Sequence, residues 1–296
     1  LELNRESGIA WLGMARVQRL LGKTNDAVET LSRARRLLPD EDPSASAESA
    51  LLCLEMGDYE GATQHIDAAS IRGEGAVVPY VRGNIAANQG HLKSALSHYN
   101  EAIEMEPTHV RARLNRANIH MASENAQAAL DDANILLELA PKLGYAKLRR
   151  AEANMLLSNW EDARKDLETI IEGAPHHHYA LTKLASCYIS MGRPEKAEAP
   201  LNEALRLEPN HTDAWHHRGL LYLDWGREEE AINDFEAAIR CDGSHIDARL
   251  HIAAIHHEAK RFDEASTAWS GVLAINPDHT VARIRREECE IALATI

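Results

Sequence analysis

The chain has 296 residues, 45% of them hydrophobic and 26% charged, which is typical of a folded protein and excludes a disordered or collagen-like chain. The 32 Lys and Arg residues are outnumbered by 46 Asp and Glu residues, and the resulting net charge of −14 opposes attraction to nucleic acid. No apolar run is long enough to cross a bilayer, and the first residues lack the pattern of a secretory signal. We therefore expect a soluble, cytoplasmic protein with no membrane insertion and no nucleic-acid partner.

Prolines and small residues recur along the chain with a period of 34 residues. The prolines that keep this period are Pro39, Pro107, Pro141, Pro175, Pro209 and Pro277. The alanines that keep it are Ala27, Ala95, Ala129, Ala163, Ala197, Ala231 and Ala265. A fixed period of this length indicates a repeat architecture, in which each repeat is one supersecondary motif that buries its apolar face against its neighbours.

The clearest repeat runs from residue 212 to 245, and positions 1–34 are counted from the first residue of each repeat. Trp215, Gly219 and Tyr222 share one face of a predicted first helix, which Gly226 ends. The apolar stripe of a second helix follows at Ala231, Phe235 and Ala238. Each repeat is therefore predicted to be a helix, a turn and a second helix, with small residues where the two helices cross.

These residues resemble the signature of the tetratricopeptide repeat family, which is Trp, Leu-Gly, Tyr, Ala, Phe, Ala and Pro. The signature residues present are Trp215, Gly219, Tyr222, Ala231, Phe235 and Ala238, while Gly243 stands in place of the usual proline. The resemblance implies an all-α fold, a right-handed superhelical solenoid of helix-turn-helix repeats.

The resemblance covers essentially the whole chain. The predicted repeats are 8–41, a degenerate 42–75, 76–109, 110–143, 144–177, 178–211, 212–245 and 246–279. Residues 1–7 are predicted as the tail of a preceding repeat or an N-terminal cap, and residues 280–296 as a C-terminal capping helix. Pro200 predicts a kink near Ala197, and the glycine-rich stretch 71–75 predicts a flexible junction.

No motif in the chain brings a nucleophile, a base and a third catalytic group together, so we expect a protein that is not an enzyme and needs no cofactor. Five of the sixteen histidines fall at position 34, a polar turn where solvated side chains are expected: His109, His177, His211, His245 and His279. His217 and His251 occupy equivalent positions on adjacent first helices and are the best pair for a metal ion. The prediction is nevertheless that the chain holds no metal.

The face of the first helix opposite the packing stripe is the predicted binding surface, because the resemblance implies that this face lines a concave groove. Position 6 on that face is occupied by Asn115, Arg149, Lys183, His217, His251 and Arg285. Five of these six side chains are able to carry positive charge in a chain that is otherwise acidic. A row of such donors suits acidic side chains or a terminal carboxylate.

Within the third to fifth repeats the pattern also resembles co-chaperone domains that hold an acidic chaperone C-terminus with a carboxylate clamp. Asn84, Asn115 and Arg149 match three of the five clamp positions, whereas Tyr80 and Tyr145 stand where lysines are usual. The full set of residues predicted to bind a peptide is Asn84, Arg111, Asn115, Asn118, Tyr145, Arg149, Tyr179, Lys183, His217, His251 and Arg285.

Specific roles are predicted within this set. Arg149, Lys183 and Arg285 would pair with carboxylates, and His217 and His251 would add positive charge as the pH falls toward about 6.5. Three asparagines would hold the peptide backbone: Asn84, Asn115 and Asn118.

The sequence therefore predicts a non-catalytic scaffold or adaptor that binds an acidic peptide or helix of a partner protein. Two alternatives are a co-chaperone that recognises acidic chaperone C-termini, and a regulatory or substrate-recruiting segment of a larger enzyme. Leu1 and Leu3 have no polar cover in the sequence, so self-association through the N-terminal end is also expected.

Overall fold

The computed structural model describes residues 7–39, 42, 44–72 and 75–295. These residues form seventeen α-helices and one 3₁₀ turn, with no strand among them. The predicted N-terminal tail, apart from Ser7, and the self-association through Leu1 and Leu3 concern residues outside this part of the chain. Part of the predicted junction at 71–75 also lies outside it.

The helices follow one another through short turns. Their bounds are α1 Gly8–Leu20, α2 Thr24–Leu37, α3 Ser44–Glu55, α4 Tyr59–Arg72, α5 Val77–Asn88, α6 Leu92–Met105, α7 Val110–Ala122, α8 Ala126–Leu139, α9 Gly144–Leu156, α10 Trp160–Gly173, α11 His178–Ser190, α12 Glu198–Leu207, α13 Thr212–Asp224, α14 Glu228–Cys241, α15 Ile246–Glu258, α16 Phe262–Ile275 and α17 Thr280–Ala294. The chain divides into an N-terminal unit up to Ala153 and a C-terminal unit from Asn154.

From α1 to α8 and from α10 to α17, a first helix packs against the second helix that follows it, and the second helix packs against the next first helix. In the N-terminal unit the first helices α1, α3, α5 and α7 also contact one another in succession. In the C-terminal unit α11 and α13 do the same. The all-α architecture predicted from the 34-residue period is confirmed, with the first helices forming one layer of each unit and the second helices the other.

A residue in the left-handed conformation ends most of the first helices. Gly226 has a φ of 70°, and glycines occupy the same place in four other helix pairs. Glu124, Ser158 and Lys260 occupy it with φ values of 57°, 61° and 58°. Side chains with a Cβ adopt this region at a cost, so the tight turn between the two helices is imposed by the packing of each pair.

The predicted kink near Ala197 is a break in the helix. Pro194–Lys196 forms a 3₁₀ turn, and α12 begins only at Glu198. Pro200 lacks the amide hydrogen that would otherwise bond one turn back, and it stands in the first turn of the shortened helix, where that hydrogen is dispensable.

The two helices of a pair cross most closely where the first helix has a glycine. A Cβ added to Gly219 would lie 2.7 Å from Cε1 of Phe235, and one added to Gly83 would lie 2.5 Å from Cε1 of Tyr99. Phe235 is fully buried. In these two pairs the ring on the second helix occupies the space that a Cβ on the first helix would need.

Position 4 links several repeats to the turn before them. The indole Nε1 of Trp215 donates a hydrogen bond to the Pro209 carbonyl at 2.8 Å. Arginines replace tryptophan elsewhere and make the same link, for example Arg283 to the Pro277 carbonyl at 2.9 Å. Tryptophan and arginine are interchangeable at this position because both reach the same backbone carbonyl with an N–H group.

A buried ion pair recurs between positions 7 and 23. Arg218 donates two hydrogen bonds to Asp234, at 2.7 and 2.8 Å, and a third to Asn202 of the preceding helix pair at 2.7 Å. Asp234 is only 4% exposed. This arrangement, called the polar bridge below, joins three helices at once.

The same polar bridge occurs in the N-terminal unit. Arg116 donates to both oxygens of Asp132, at 2.8 and 2.6 Å, and to Asn100 of the preceding pair at 2.6 Å. Three hydrogen bonds satisfy the guanidinium, and this compensates the cost of burying the carboxylate.

Histidines at position 34 cap the helices that follow them. The Nδ1 atom of His109 accepts a hydrogen bond from the Ala112 amide at 3.1 Å, and that of His245 accepts one from the Ala248 amide at 3.2 Å. His177 and His279 make the same bond. The expectation of solvated side chains in this turn was wrong, because these rings are half-buried and satisfy an amide of the first helical turn.

Replacing Asp234 tests the polar bridge. The Asp234→Asn substitution removes the charge that balances Arg218, and we expect the free energy of unfolding to fall by about 3 kcal/mol in urea denaturation. Asp224→Asn is the matched control, since Asp224 is exposed on α13. Equal, small losses for the two variants would contradict a structural role for the bridge.

A double-mutant cycle tests the close helix crossing. The Gly219→Ala substitution is expected to lower the free energy of unfolding. We expect this loss to be about 1 kcal/mol smaller in a Phe235→Leu background than in the wild type, because the smaller side chain leaves room for the added methyl group. Ala185 and Leu201 already form this combination in the sixth repeat. Additive effects of the two substitutions, measured by urea denaturation, would exclude the proposed steric coupling.

Candidate functional site

The predicted binding surface of the N-terminal unit lies on the first helices α5, α7 and α9. Its centre is the carboxamide of Asn84, which is only 8% exposed. Its Oδ1 atom accepts hydrogen bonds from Tyr99 Oη at 2.8 Å and from Asn115 Nδ2 at 2.7 Å. Asn84 was predicted to hold a peptide backbone, but its acceptor is occupied by two donors of the chain. It joins α5, α6 and α7 instead.

Two other predicted residues, Arg111 and Asn118, lie on α7. Arg111 is exposed at the start of the helix. Among the described residues, the buried Oδ1 atom of Asn118 has no hydrogen-bond partner. Tyr80, which stands at one clamp position in place of the usual lysine, is buried with its ring 4.9 Å from that of His109.

Arg149 is already paired within the chain. Its guanidinium lies 4.7 Å from the centre of the Tyr145 ring and donates a hydrogen bond to Tyr145 Oη at 2.6 Å. It also donates to Glu152, which is only 8% exposed. The prediction of an available cation at Arg149 is therefore corrected, because the acid three residues later on the same helix face balances its charge.

In the C-terminal unit, Tyr179, Lys183 and His211 form a small surface at the start of α11 and α13. Lys183 Nζ lies 5.0 Å from the centre of the Tyr179 ring. The Tyr179 ring stacks on His211 at 6.5 Å with an interplanar angle of 6°. In the described part of the chain no carboxylate oxygen lies within 4.0 Å of Lys183 Nζ.

A cluster of histidines follows on α13 and α15. The His216 ring lies 4.8 Å from His245 and 5.5 Å from His251, and His251 stacks on Phe235 at 5.0 Å. His217 adjoins this cluster, at 5.9 Å from His216. His217 and His251 were singled out from the sequence for their equivalent positions on adjacent first helices, whereas the contacts of His216 with His245 and His251 were not predicted.

Burial lowers the pKa values of these rings. Desolvation lowers the pKa of His216 to about 4, and it also lowers the pKa values of His217 and His251. His217 and His251 therefore gain their positive charge at a lower pH than the value of about 6.5 that was predicted. Within the described residues, no three His, Cys, Asp or Glu side chains are arranged to hold a metal ion.

Helix α17, which is predicted to be a capping helix, carries exposed apolar residues as well as charged ones. Arg285 on α17 is half-exposed but donates a hydrogen bond to Glu288 at 2.8 Å, so its charge is also balanced within the chain. Val281, Ile284 and Ile291 are 53%, 55% and 67% exposed on the same helix. The helix thus carries an apolar stripe between its charged residues.

The buried histidines predict a loss of stability in acid. Their pKa values lie below the unfolded value of about 6.5, so the unfolded chain binds more protons as the pH falls below it. The free energy of unfolding should be highest at and above about pH 7 and should decrease toward about pH 4. The histidines with lowered pKa values are His65, His109, His120, His211, His216, His217, His251 and His256.

Urea denaturation at a series of pH values measures this dependence. A His216→Gln variant should lose less stability on acidification than the wild type, whereas exposed His176→Gln should behave like the wild type. Protonation of carboxylates affects all three proteins equally, so the comparison isolates the contribution of the His216 ring to the pH dependence of stability. An unchanged pH dependence in His216→Gln would contradict the account.

Comparisons with known proteins agree with this architecture. Models of the tetratricopeptide repeat match residues 80–143, 154–220 and 212–245, which together make up just over half of the chain. None of the curated protein sequences gave a significant match. No helix among the described residues is long and apolar enough to span a membrane.

Solved structures of helical repeat proteins are similar over large parts of the chain. The APC/C hetero-tetramer Cut9–Hcn1 matches with a TM-score of 0.67 and 16% identity, over 98% of this chain and 57% of that one. A tetratricopeptide repeat protein from Parabacteroides merdae matches with a TM-score of 0.56 and 19% identity, over 82% and 96% of the two chains. TTC0263 from Thermus thermophilus matches with a TM-score of 0.52 and 20% identity, over 62% and 99%.

At these identities the structural matches show the fold alone. The repeat boundaries given above stay a prediction. The 34-residue period, the paired helices and the three sequence matches all lead to one assignment. The chain belongs to the tetratricopeptide repeat family of protein-interaction scaffolds.

Proposed function

We propose that the chain is a non-catalytic scaffold and that the surface formed by Tyr179, Lys183 and His211 binds an extended acidic segment of a partner protein. The observation that carries this proposal is the environment of Lys183. Its ammonium group has an aromatic ring beneath it and, among the described residues, no carboxylate within 4.0 Å. A carboxylate of a partner would supply the missing counter-charge.

Lys183 differs in this respect from the other predicted cations. Arg149 is balanced by Glu152, and Arg285 is balanced by Glu288. An acidic ligand at either arginine would have to displace an internal carboxylate. At Lys183 the ligand gains an ion pair without breaking one, so this lysine is the strongest anchor among the residues at position 6.

The side chains around Lys183 suit an extended peptide. The stacked rings of Tyr179 and His211 give a flat surface on which apolar parts of a peptide are able to pack. Burial lowers the pKa of His211, so that ring stays neutral near pH 7 and contributes packing rather than charge. Asp213, exposed at the start of α13, should repel acidic groups, so those of the ligand are expected at Lys183.

Charge reversal at Lys183 tests the proposal. We expect a fluorescently labelled Glu- and Leu-containing peptide to bind the wild type, and Lys183→Glu to weaken binding by about tenfold or more, measured by fluorescence anisotropy. Lys165→Glu is the matched control, because Lys165 lies exposed on the second helix α10 and its substitution changes the net charge equally. Equal loss in both variants, or none in either, would reject the Lys183 site.

The same assay distinguishes the carboxylate-clamp mode. A clamp requires a free terminal carboxylate, whereas the Lys183 surface requires only acidic side chains. We therefore expect the peptide and its C-terminally amidated form to bind equally well. A strong preference for the free carboxylate would favour the clamp residues of the N-terminal unit instead.

A further inference from the structure

An open cleft lies between the second helices α14 and α16 of the C-terminal unit, with the first helix α15 as its floor. Its volume is about 540 Å³, and its apolar surface comes from Ile239, Ile252 and Ala268. The corresponding clefts between α2 and α4 and between α4 and α6 measure about 220 and 240 Å³. The α14–α16 cleft is thus more than twice the volume of these two and falls in the range of ligand-binding sites.

The cleft is open because the polar bridge is missing from it. Arg218, Asp234 and Asn202 close the cleft one repeat earlier. One repeat later, the equivalent positions hold Ile252, Ala268 and Glu236. Ile252 and Ala268 are shorter than the bridge residues that they replace, so an apolar floor is left between the helices.

Gly271 enlarges the cleft further. It stands in the middle of α16, where glycine is unfavourable for a helix. The nearest atom to an added Cβ would be Arg249 Nη1, at 3.3 Å. The equivalent residue of α10 is Thr169, which has a side chain. Of these two helices, only α16 therefore lacks a side chain at this position.

The α14–α16 cleft also lacks a second kind of contact, the one that closes the cleft between α10 and α12. Between α10 and α12 the bridge positions hold Leu184 and Pro200, but Tyr188 Oη donates a hydrogen bond to Glu168 at 2.9 Å. In the α14–α16 cleft the residues equivalent to this tyrosine and glutamate are a histidine and a glutamate, at positions 256 and 236. Within the described residues, the buried Nδ1 of that histidine has no hydrogen-bond partner, and neither has the Nε atom of the arginine at position 249.

The carboxylates at the start of α16 favour a basic partner. Three acidic side chains border the cleft, Glu236, Asp263 and Glu264, together with two arginines, Arg240 and Arg249, and Arg240 lies 3.8 Å from Glu236. Among the described residues no Lys or Arg nitrogen lies within 4.0 Å of the carboxylates of Asp263 or Glu264. Both are exposed in the first turn of α16, where they remain accessible to a cation from outside.

From this combination we infer that the α14–α16 cleft binds a partner-protein segment that places a bulky apolar side chain beside a lysine or arginine. The apolar side chain enters the space above Ile252 and Ala268. The basic side chain pairs with Asp263 and Glu264. This surface uses none of the residues around Lys183, so the inference does not rest on the function proposed for that lysine.

Selection from a display library of random short peptides tests the inference on the full chain. Binding to the wild type is followed by counter-selection against Gly271→Leu, in which a leucine side chain fills the cleft. We expect the enriched peptides to combine a Leu, Met or Phe with an adjacent Lys or Arg. Each should bind Gly271→Leu about tenfold or more weakly than the wild type, because the apolar side chain can no longer be buried.

Two further variants separate the parts of the proposal. Thr169→Leu adds the same side chain at the equivalent position of α10 and should leave binding unchanged. The double variant Asp263→Asn and Glu264→Gln should weaken binding at low salt and reduce its salt dependence. On titration of the wild type with an enriched peptide, the methyl resonances of Ile239 and Ile252 should shift, and those of isoleucines in the N-terminal unit should not.

Enrichment of acidic peptides would overturn the inference. So would equal binding to the wild type and Gly271→Leu, or methyl shifts confined to isoleucines away from the cleft. Thermal unfolding followed by circular dichroism checks that each variant is folded. If Gly271→Leu proved unstable, the Asp263 and Glu264 variant and the methyl shifts would still decide the outcome.

Discussion

The close crossing of two helices is the constraint on which the rest of the structure depends. Where Phe235 is buried against Gly219, the two backbones of a pair approach until there is no room for a Cβ between them. A pair packed in this way still has an apolar face that it cannot cover by itself, so it must stack on the next pair. The small-residue column, the left-handed turn at Gly226 and the hydrogen bond from Trp215 to the preceding turn all serve this stacking.

Polar bridges define how successive pairs are joined. A bridge ties three helices together where all of its partners are present, as they are for Arg116 and for Arg218. Where a repeat lacks them, another contact closes the cleft, as Tyr188 does with Glu168, or the cleft stays open, as it does beside Ile252. Binding surfaces are therefore expected where the repeat pattern is interrupted, since there the chain leaves charge or apolar surface without an internal partner.

The sequence predicted the helices well and the site less well, for a physical reason. A period of 34 residues constrains the backbone, so the helix pairs followed from it, and Pro200 indicated the break that precedes it. A single column of residues does not show which side chains pair within one helix, and the acids three residues after Arg149 and Arg285 were overlooked. Nor does it show burial, which lowers the pKa values of His217 and His251. The polar bridge could have been predicted from the sequence, because its arginine and aspartate keep the same spacing in the fourth and seventh repeats.

Building the polar bridge into the eighth repeat tests most directly whether its absence creates a binding surface. The variant combines Glu236→Asn, Ile252→Arg and Ala268→Asp, and its binding to a peptide selected on the wild-type α14–α16 cleft is compared with that of the wild type by anisotropy. The account predicts a folded protein with an unfolding temperature at least as high as that of the wild type and with no measurable binding of the peptide. Unchanged binding by an equally stable variant would contradict it.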